Sequence, residues 1–437
     1  MKQKISIVVI GIGVMLAVLG CASATTTETN TNESTTPDTE TCNASPEWVS
    51  NPEGAPNEVP MGENAQICQF HQFSWQWFIA LLDDTGSGER VYEDEQNYPL
   101  LLVNQNSCTA TGIEHQLFVR IGKNDNGPED DFVLPERINQ AGSESVIYDQ
   151  NGNVVYYEVR FSRDECSLDP NTVMMFPAGT TELKVSWRVI TEADKSSYVW
   201  INADIDNDGT VAADELLGMV GFHLVKSTEL HPEFIWATFE HKQNVPDCQT
   251  TPSTTTGWSF TSATCAGELP DSVDPATCSL NKPPGPPPTP TPAPLTGGPP
   301  SEICRVYRDG SRPGDNQYDT NVAAIDQLNE QLTGPNGYIT VLPASNPLSV
   351  LQNYELVGAL WENDVTMPSS VLSNQRGSIQ LANTTMETTE QQGFSEPPYT
   401  GTSNLQPAAN CFACHGYIPG ENVKLSHIFS EIFGPNN

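Results

Sequence analysis

The chain is 437 residues long and carries 55 acidic against 19 basic side chains, a formal net charge of -36. That balance excludes most nucleic-acid binding, because a phosphate backbone would be repelled where a binder needs a basic stripe; it suits cationic partners or plain solubility. The length allows one large core or two modest ones, and eleven cysteines point to an oxidising compartment.

Taken in chain order, Lys2 and Lys4 precede an apolar run from Ile5 to Leu19. This is the pattern of a signal peptide over residues 1–20, too short for a comfortable span of about 20 apolar residues. Cys21 follows the small Gly20, and "VLGC" resembles the lipobox of bacterial lipoproteins. The resemblance implies an exported chain acylated on Cys21 and anchored to a membrane through that lipid. Ala22, in place of an aspartate, implies the outer membrane. Residues 21–43, which include "ASATTTETNTNESTTPDTET", offer almost nothing to bury and read as a disordered tether.

Residues 44–280 read as a β-rich domain. Short β-branched and aromatic runs bounded by Gly, Asn, Asp or Pro predict strands in "HQLFVRIG", "NVVYYEVRF", "LKVSWRVI", "SYVWINA", "GMVGFHLV" and "EFIWATFEH". One segment, "CQFHQFSWQWFIALLDD", places Phe70, Phe73, Trp77, Ile79, Leu81 and Leu82 as on an aromatic helix packed against the sheet. Alternation sets His223 on one strand face with Gly221 and Val225, and His241 on another with Ile235, Ala237 and Phe239. Each is either a satisfied core histidine or a neighbour of a bound group; a cluster of His223, His231 and His241 fits no zinc template.

Within this domain "DIDNDGTVAADE" fits the twelve-residue calcium loop. Asp204, Asp206 and Asp208 supply carboxylates, Gly209 the sharp turn, Thr210 a carbonyl and Glu215 a bidentate carboxylate. Alternating short carboxylates surround one cation with hard oxygens, which calcium requires. The segment entering the loop reads as a strand, so a full helix-loop-helix is not expected; the alternative is an acidic surface turn.

Residues 281–302, with "PPGPPPTPTPAPLTGGPP", can form neither helix nor interior strand and read as a proline-rich linker or an inserted loop, whose base Cys278 and Cys304 could staple. Beyond it, residues 303–437 form the C-terminal region. Val322, Ile325, Leu328 and Leu332 recur at helical spacing up to a stop at Gly334 and Pro335, "YELVGALWEN" reads as a strand, and "ANTTMETTEQQ" is weakly helical.

The chemistry-bearing motif comes near the end, in "NCFACHG". Cys411 and Cys414 are three apart with His415 directly after; two thiols can close on the vinyl groups of a haem while the imidazole reaches the iron. With these residues the chain resembles bacterial c-type cytochromes, in particular exported monohaem proteins of the cytochrome c family. The motif match covers Cys411 to His415, with further similarity in "LANTTMET", "GMVGFHLV" and "IWATFEH". The resemblance implies haem c held by Cys411 and Cys414, His415 as proximal iron ligand, and a redox partner protein. Small cytochromes take their distal methionine from after the motif, yet no methionine follows Met386 here. The distal ligand is therefore expected to be Met386 or His427. Only 22 residues follow His415, so the cover over the haem is expected from upstream chain, which favours the inserted-loop reading of the proline-rich stretch.

Setting aside Cys21, Cys411 and Cys414 leaves eight cysteines, an even number that permits four disulfides in 105 possible pairings. The expected fold class is α+β and β-rich: an antiparallel, sandwich-like N-terminal body with a mostly helical C-terminal haem-attachment segment packed on it. The leading function is single-electron transfer by an envelope-anchored monohaem cytochrome. A haem enzyme or small-ligand sensor with an open iron, and a β-sandwich binding module with a structural haem, remain as alternatives. No Ser-His-Asp arrangement, Gly-rich phosphate loop or HExxH motif occurs, and no catalytic residue is assigned.

Overall fold

Seven of the apolar runs become strands because β-branched and aromatic side chains fit a pleated surface that is covered on both sides. The computed structural model describes residues 41–433 apart from 85, 87, 103–104, 120–135, 138–145, 207, 271–272, 275, 282–295, 313–316, 389–390, 392–409 and 430. The expected signal peptide, Cys21, most of the tether and most of the proline-rich stretch lie outside the described residues. In chain order the elements are α1 (Glu47–Ser50), α2 (Ile67–Leu82), β1 (Phe118–Val119), β2 (Glu136–Arg137), β3 (Tyr156–Phe161), β4 (Thr181–Val189), β5 (Trp200–Asn202), β6 (Leu216–Lys226), β7 (Ile235–His241), α3 (Ala263–Glu268), α4 (Tyr318–Thr333), β8 (Tyr354–Glu362), β9 (Gln375–Gly377) and α5 (Cys411–Cys414). None of the helices is long and apolar enough to cross a membrane, among the described residues.

The β-rich α+β class holds, but the sandwich does not. The nine described strands join one sheet in the order β2-β1-β3-β4-β6-β7-β8-β9, with β5 beside the start of β6. Pairing is antiparallel throughout except between β1 and β2. Alternation along a strand reports that both faces are used; it is silent on whether the covering layer is a second sheet or something else.

One face is covered by helices. Phe78 of α2 stacks on Phe239 of β7 at 3.9 Å between centroids and meets Phe222 of β6 edge-on, while Phe70 stacks on Trp361 of β8. Burying each such ring contributes roughly 1.5–3 kcal/mol. Trp75 and Phe78, absent from the apolar stripe read off the sequence, meet the sheet alongside Phe70, and Trp77 is only partly buried. The helix is apolar around most of its surface because α4 covers another flank, where His71 Nε2 lies 2.7 Å from Asn321 Oδ1.

The sheet also runs across the proline-rich stretch, since β7 before it pairs directly with β8 after it. At its base Arg305, beyond the stretch, is buried against Glu240 of β7 at 3.3 Å from both carboxylate oxygens. Glu355 and Asp247 stand farther out at 3.5 and 3.8 Å. The cysteine pairing differs from the expected staple: Cys248 bonds Cys304 and Cys265 bonds Cys278, with Cys42–Cys68 and Cys108–Cys166 completing four disulfides. The tether ends earlier than its composition indicated. Cys42 is buried, and its backbone N–H donates to Gln327 of α4 at 2.8 Å, because the disulfide to α2 draws the preceding chain onto the helices.

The opposite face of the sheet, carrying Tyr157, Val225, Trp236 and Val357, is covered by irregular chain: Phe176, the segment 379–388 and residues 410–433. The expectation of a mostly helical C-terminal segment is corrected here. From Cys411 onward the described chain is one helical turn, α5, followed by turns and the 3-10 segment Asn422–Leu425. Its apolar residues Tyr417, Leu425, Ile428, Phe429 and Ile432 dock singly, not as a helical stripe.

Candidate functional site

Three stretches of chain meet on this second face. The first is 381–388, in which "LANTTMET" lies flat on the sheet instead of forming the weak helix read from it. Tyr157 donates its hydroxyl to the Thr385 carbonyl at 2.7 Å, Asn383 donates to Thr238 Oγ1 at 2.8 Å, and the Thr384 N–H donates to Glu240 at 2.7 Å. Gly221 of β6 permits this approach: a Cβ there would stand 2.5 Å from Ser186 Oγ and 2.7 Å from Thr385 Oγ1. Met386 is fully buried in the same apolar cluster as Trp236 and Phe412.

Glu387, next in sequence, faces His223 with 2.8 Å between Oε1 and Nε2. Burial works to raise this carboxyl, but the His223 imidazole and the Lys184 ammonium together hold it down to about 2. His223 thus bonds Glu387 on the C-terminal segment's side of the sheet, as its strand register implies. His241 is on the helix side, stacked on Tyr198 at 4.2 Å and bonded to the Ser197 carbonyl, a core histidine held neutral by burial at about 4. His231 bonds Glu233. With His223 and His241 on opposite faces, the three histidines form no cluster.

The second stretch is α5 with its flanks. Its single turn sets the backbone positions of Cys411 and Cys414 one turn apart, on one side of the helix. Asn410 anchors the turn by donating to Gln375 Oε1 at 2.7 Å and to the Ile379 carbonyl at 3.0 Å. His415 follows at the helix end, its ring 4.5 Å from that of Trp236.

The third stretch, 417–428, fixes the orientation of His415. The Leu425 carbonyl lies 2.5 Å from Nδ1; a carbonyl can only accept, so Nδ1 carries the proton and Nε2 keeps its lone pair. Burial, together with the nearby His427, lowers His415 to about 3, so that its ring is neutral at ordinary pH. Asn422 holds this stretch in place, accepting from the Phe176 N–H at 2.6 Å and donating to the Pro232 carbonyl at 2.8 Å. His427 stacks face to face on His415, with 3.9 Å between centroids and 18° between planes.

His415, half-buried, and His427, exposed, stack at the edge of the apolar cluster that holds Trp236 and the fully buried Met386. A neutral imidazole with an anchored Nδ1–H and a free Nε2, walled by Trp236 and Phe412, is the donor arrangement that an axial ligand requires; the residues present fit a haem. His427 is a poorer candidate for a second ligand, because its ring would have to leave the stack on His415 before its nitrogen could reach the same metal. Asn410 and Asn422, which hold the site, went unassigned in the sequence: a buried asparagine in irregular chain follows no periodicity.

The calcium-type loop joins β5 to β6 as a hairpin. Carboxylate oxygens of Asp204, Asp206 and Asp208 can lie within 4.8 Å of one another, and this is the one such acidic or histidine group among the described residues. Gly209 adopts φ 86°, the left-handed turn the template demands. Glu215 closes the loop through its Oε1, which accepts from the Ile205 N–H at 2.9 Å, and its Oε2, which accepts from the Ala212 N–H at 2.5 Å. Thr210 donates its N–H to Asp208 at 2.8 Å.

Comparison with protein-family models, with curated proteins and with solved structures finds no match to this chain.

Proposed function

We propose that this protein is an exported monohaem c-type cytochrome, anchored to the cell envelope through lipid on Cys21, that passes single electrons to and from a redox partner. Cys411 and Cys414 would hold the haem through thioethers, with His415 as proximal ligand. The observation that carries the reading is the Leu425 carbonyl on His415 Nδ1, at the end of a Cys-x-x-Cys-His turn. Bound there, the haem would supply one-electron redox chemistry. The chain's part is to orient His415, to exclude water with Trp236, Phe412 and Leu425, and to offer a second ligand. Four disulfides agree with an oxidising compartment.

We assign Met386 as that distal ligand, because it is fully buried in the same cluster and its neighbour Glu387 is close enough to act electrostatically on His415. The reduced holoprotein is expected to be low-spin and indifferent to carbon monoxide. Met386→Ala should turn it high-spin and responsive, while His427→Ala should leave it six-coordinate. If His427→Ala opens the iron instead, the ligand assignment moves to His427. If the unmodified protein itself takes up carbon monoxide, the open-iron enzyme or sensor reading replaces electron transfer.

The loop from Asp204 to Glu215 would bind calcium in a structural role, pinning the β5–β6 hairpin. Its three carboxylates repel one another unless a cation lies among them. Calcium is expected to raise the melting temperature of the unmodified protein, and Asp206→Ala with Glu215→Ala to abolish that rise. Melting that ignores a chelator in the unmodified protein would rule the site out.

A further inference from the structure

Exposed apolar side chains are concentrated around the C-terminal stretch. Six of the ten large ones among the described residues, Met174, Met175, Met367, Val371, Leu372 and Ile418, fall on three short segments. Those segments meet at one loop. The Val423 N–H donates to the Met174 carbonyl at 3.3 Å, the Asn422 N–H to Met175 Sδ at 3.4 Å, and the Ser369 N–H to the Tyr417 carbonyl at 3.1 Å. The same loop leads to Leu425, which orients His415. Apolar side chains gathered on a surface mark an interaction site, and four of these six lie outside the two methionines that begin the group, so the patch is not one mobile tip.

We propose that this rim, on both sides of residues 417–423, is the docking surface for a cationic electron-carrier protein; the proposal rests on the cytochrome reading above. Charge decides between occupants. The chain carries -36 overall, and the exposed Asp169 and half-buried Asp364 lie near the rim, while Lys424 is engaged by Glu421. A second copy of this chain would bring the same excess of negative charge, and an anionic bilayer surface would be repelled likewise. A partner with an apolar contact patch ringed by Lys and Arg is both steered in and matched. The methionines suit a transient contact, since their flexible thioethers repack against differing shapes.

The test uses the holoprotein and two probes, a lysine-rich small cytochrome c and an acidic blue-copper protein. Binding is followed by titration calorimetry and electron exchange by stopped-flow absorbance, each at low and high salt. The expected result is salt-sensitive binding of the basic probe only, weakened about tenfold or more by Met174→Ser with Leu372→Ser, with melting temperature and haem spectrum unchanged. Equal affinity for the acidic probe, or no effect of the paired substitution, overturns the proposal. So does self-association in ultracentrifugation, or binding to anionic vesicles, that the same substitutions abolish. Calorimetry reads docking without needing a haem signal, so failure of the cytochrome reading would appear in the absorbance spectrum and is separable from failure of docking.

Discussion

Protein with Cys411→Ala and Cys414→Ala, exported alongside cytochrome c maturation machinery, is expected to lack covalent haem entirely, its intact mass lower than that of the unmodified chain by one haem beyond the two sulfur atoms. The size of the effect follows from the architecture. A single helical turn carries both cysteines and delivers His415 at its end, so in the proposed cytochrome attachment and iron ligation would depend on the same few residues. Each single substitution leaves one thioether and should yield weakened but detectable attachment. His415→Ala should keep both thioethers and change the spectrum instead, since it removes the ligand and not the tether. An unmodified, natively exported protein whose mass shows no added haem would overturn the assignment of all three residues together.

Arg305→Met is expected to destabilise the protein by about 3–5 kcal/mol, as measured by denaturant unfolding, because it leaves Glu240 buried without its cation. Glu240 is fully buried in the centre of the sheet, where it also accepts from Thr384 and Asn244. Arg305 reaches it from the far side of the proline-rich stretch, so this one ion pair ties chain before residue 282 to chain after 295. Pairing the change with Glu240→Gln removes the orphaned charge and should recover part of the loss. Unfolding should remain a single transition in the unmodified protein, as expected where β7 and β8 belong to one sheet. A cost below about 1 kcal/mol for Arg305→Met would mean that water or another cation compensates Glu240, and that the pair does not bind the two halves.

Much of the local structure was legible in the residues. The runs at 153–161, 183–190, 218–225, 233–241 and 354–363 are strands, and the helical spacings at 68–84 and 320–333 are α2 and α4. These features depend on near neighbours: β-branching, a period of two or of 3.6, and a stop such as Gly334 with Pro335. Strand alternation named the face-mates of His223 and His241, while which layer covers each face came only from the structure. The motif at Cys411–His415 and the carboxylate spacing from Asp204 to Glu215 were legible for the same reason, since both are short and local.

What the sequence by itself determined is therefore the longer strands and the two long helices, together with an even set of eight cysteines able to form four disulfides. Only the tertiary structure decided that the strands form one sheet and not two, that Cys304 pairs with Cys248 and not Cys278, and that irregular chain covers the second face. It also decided the orientation of His415, through a carbonyl ten residues away that is itself held by the buried Asn422. The physical reason is that these outcomes turn on contacts between residues far apart in the chain. Backbone carbonyls and buried amide side chains make many of them, and every residue type carries a carbonyl, so no pattern of residue types announces which one will be used.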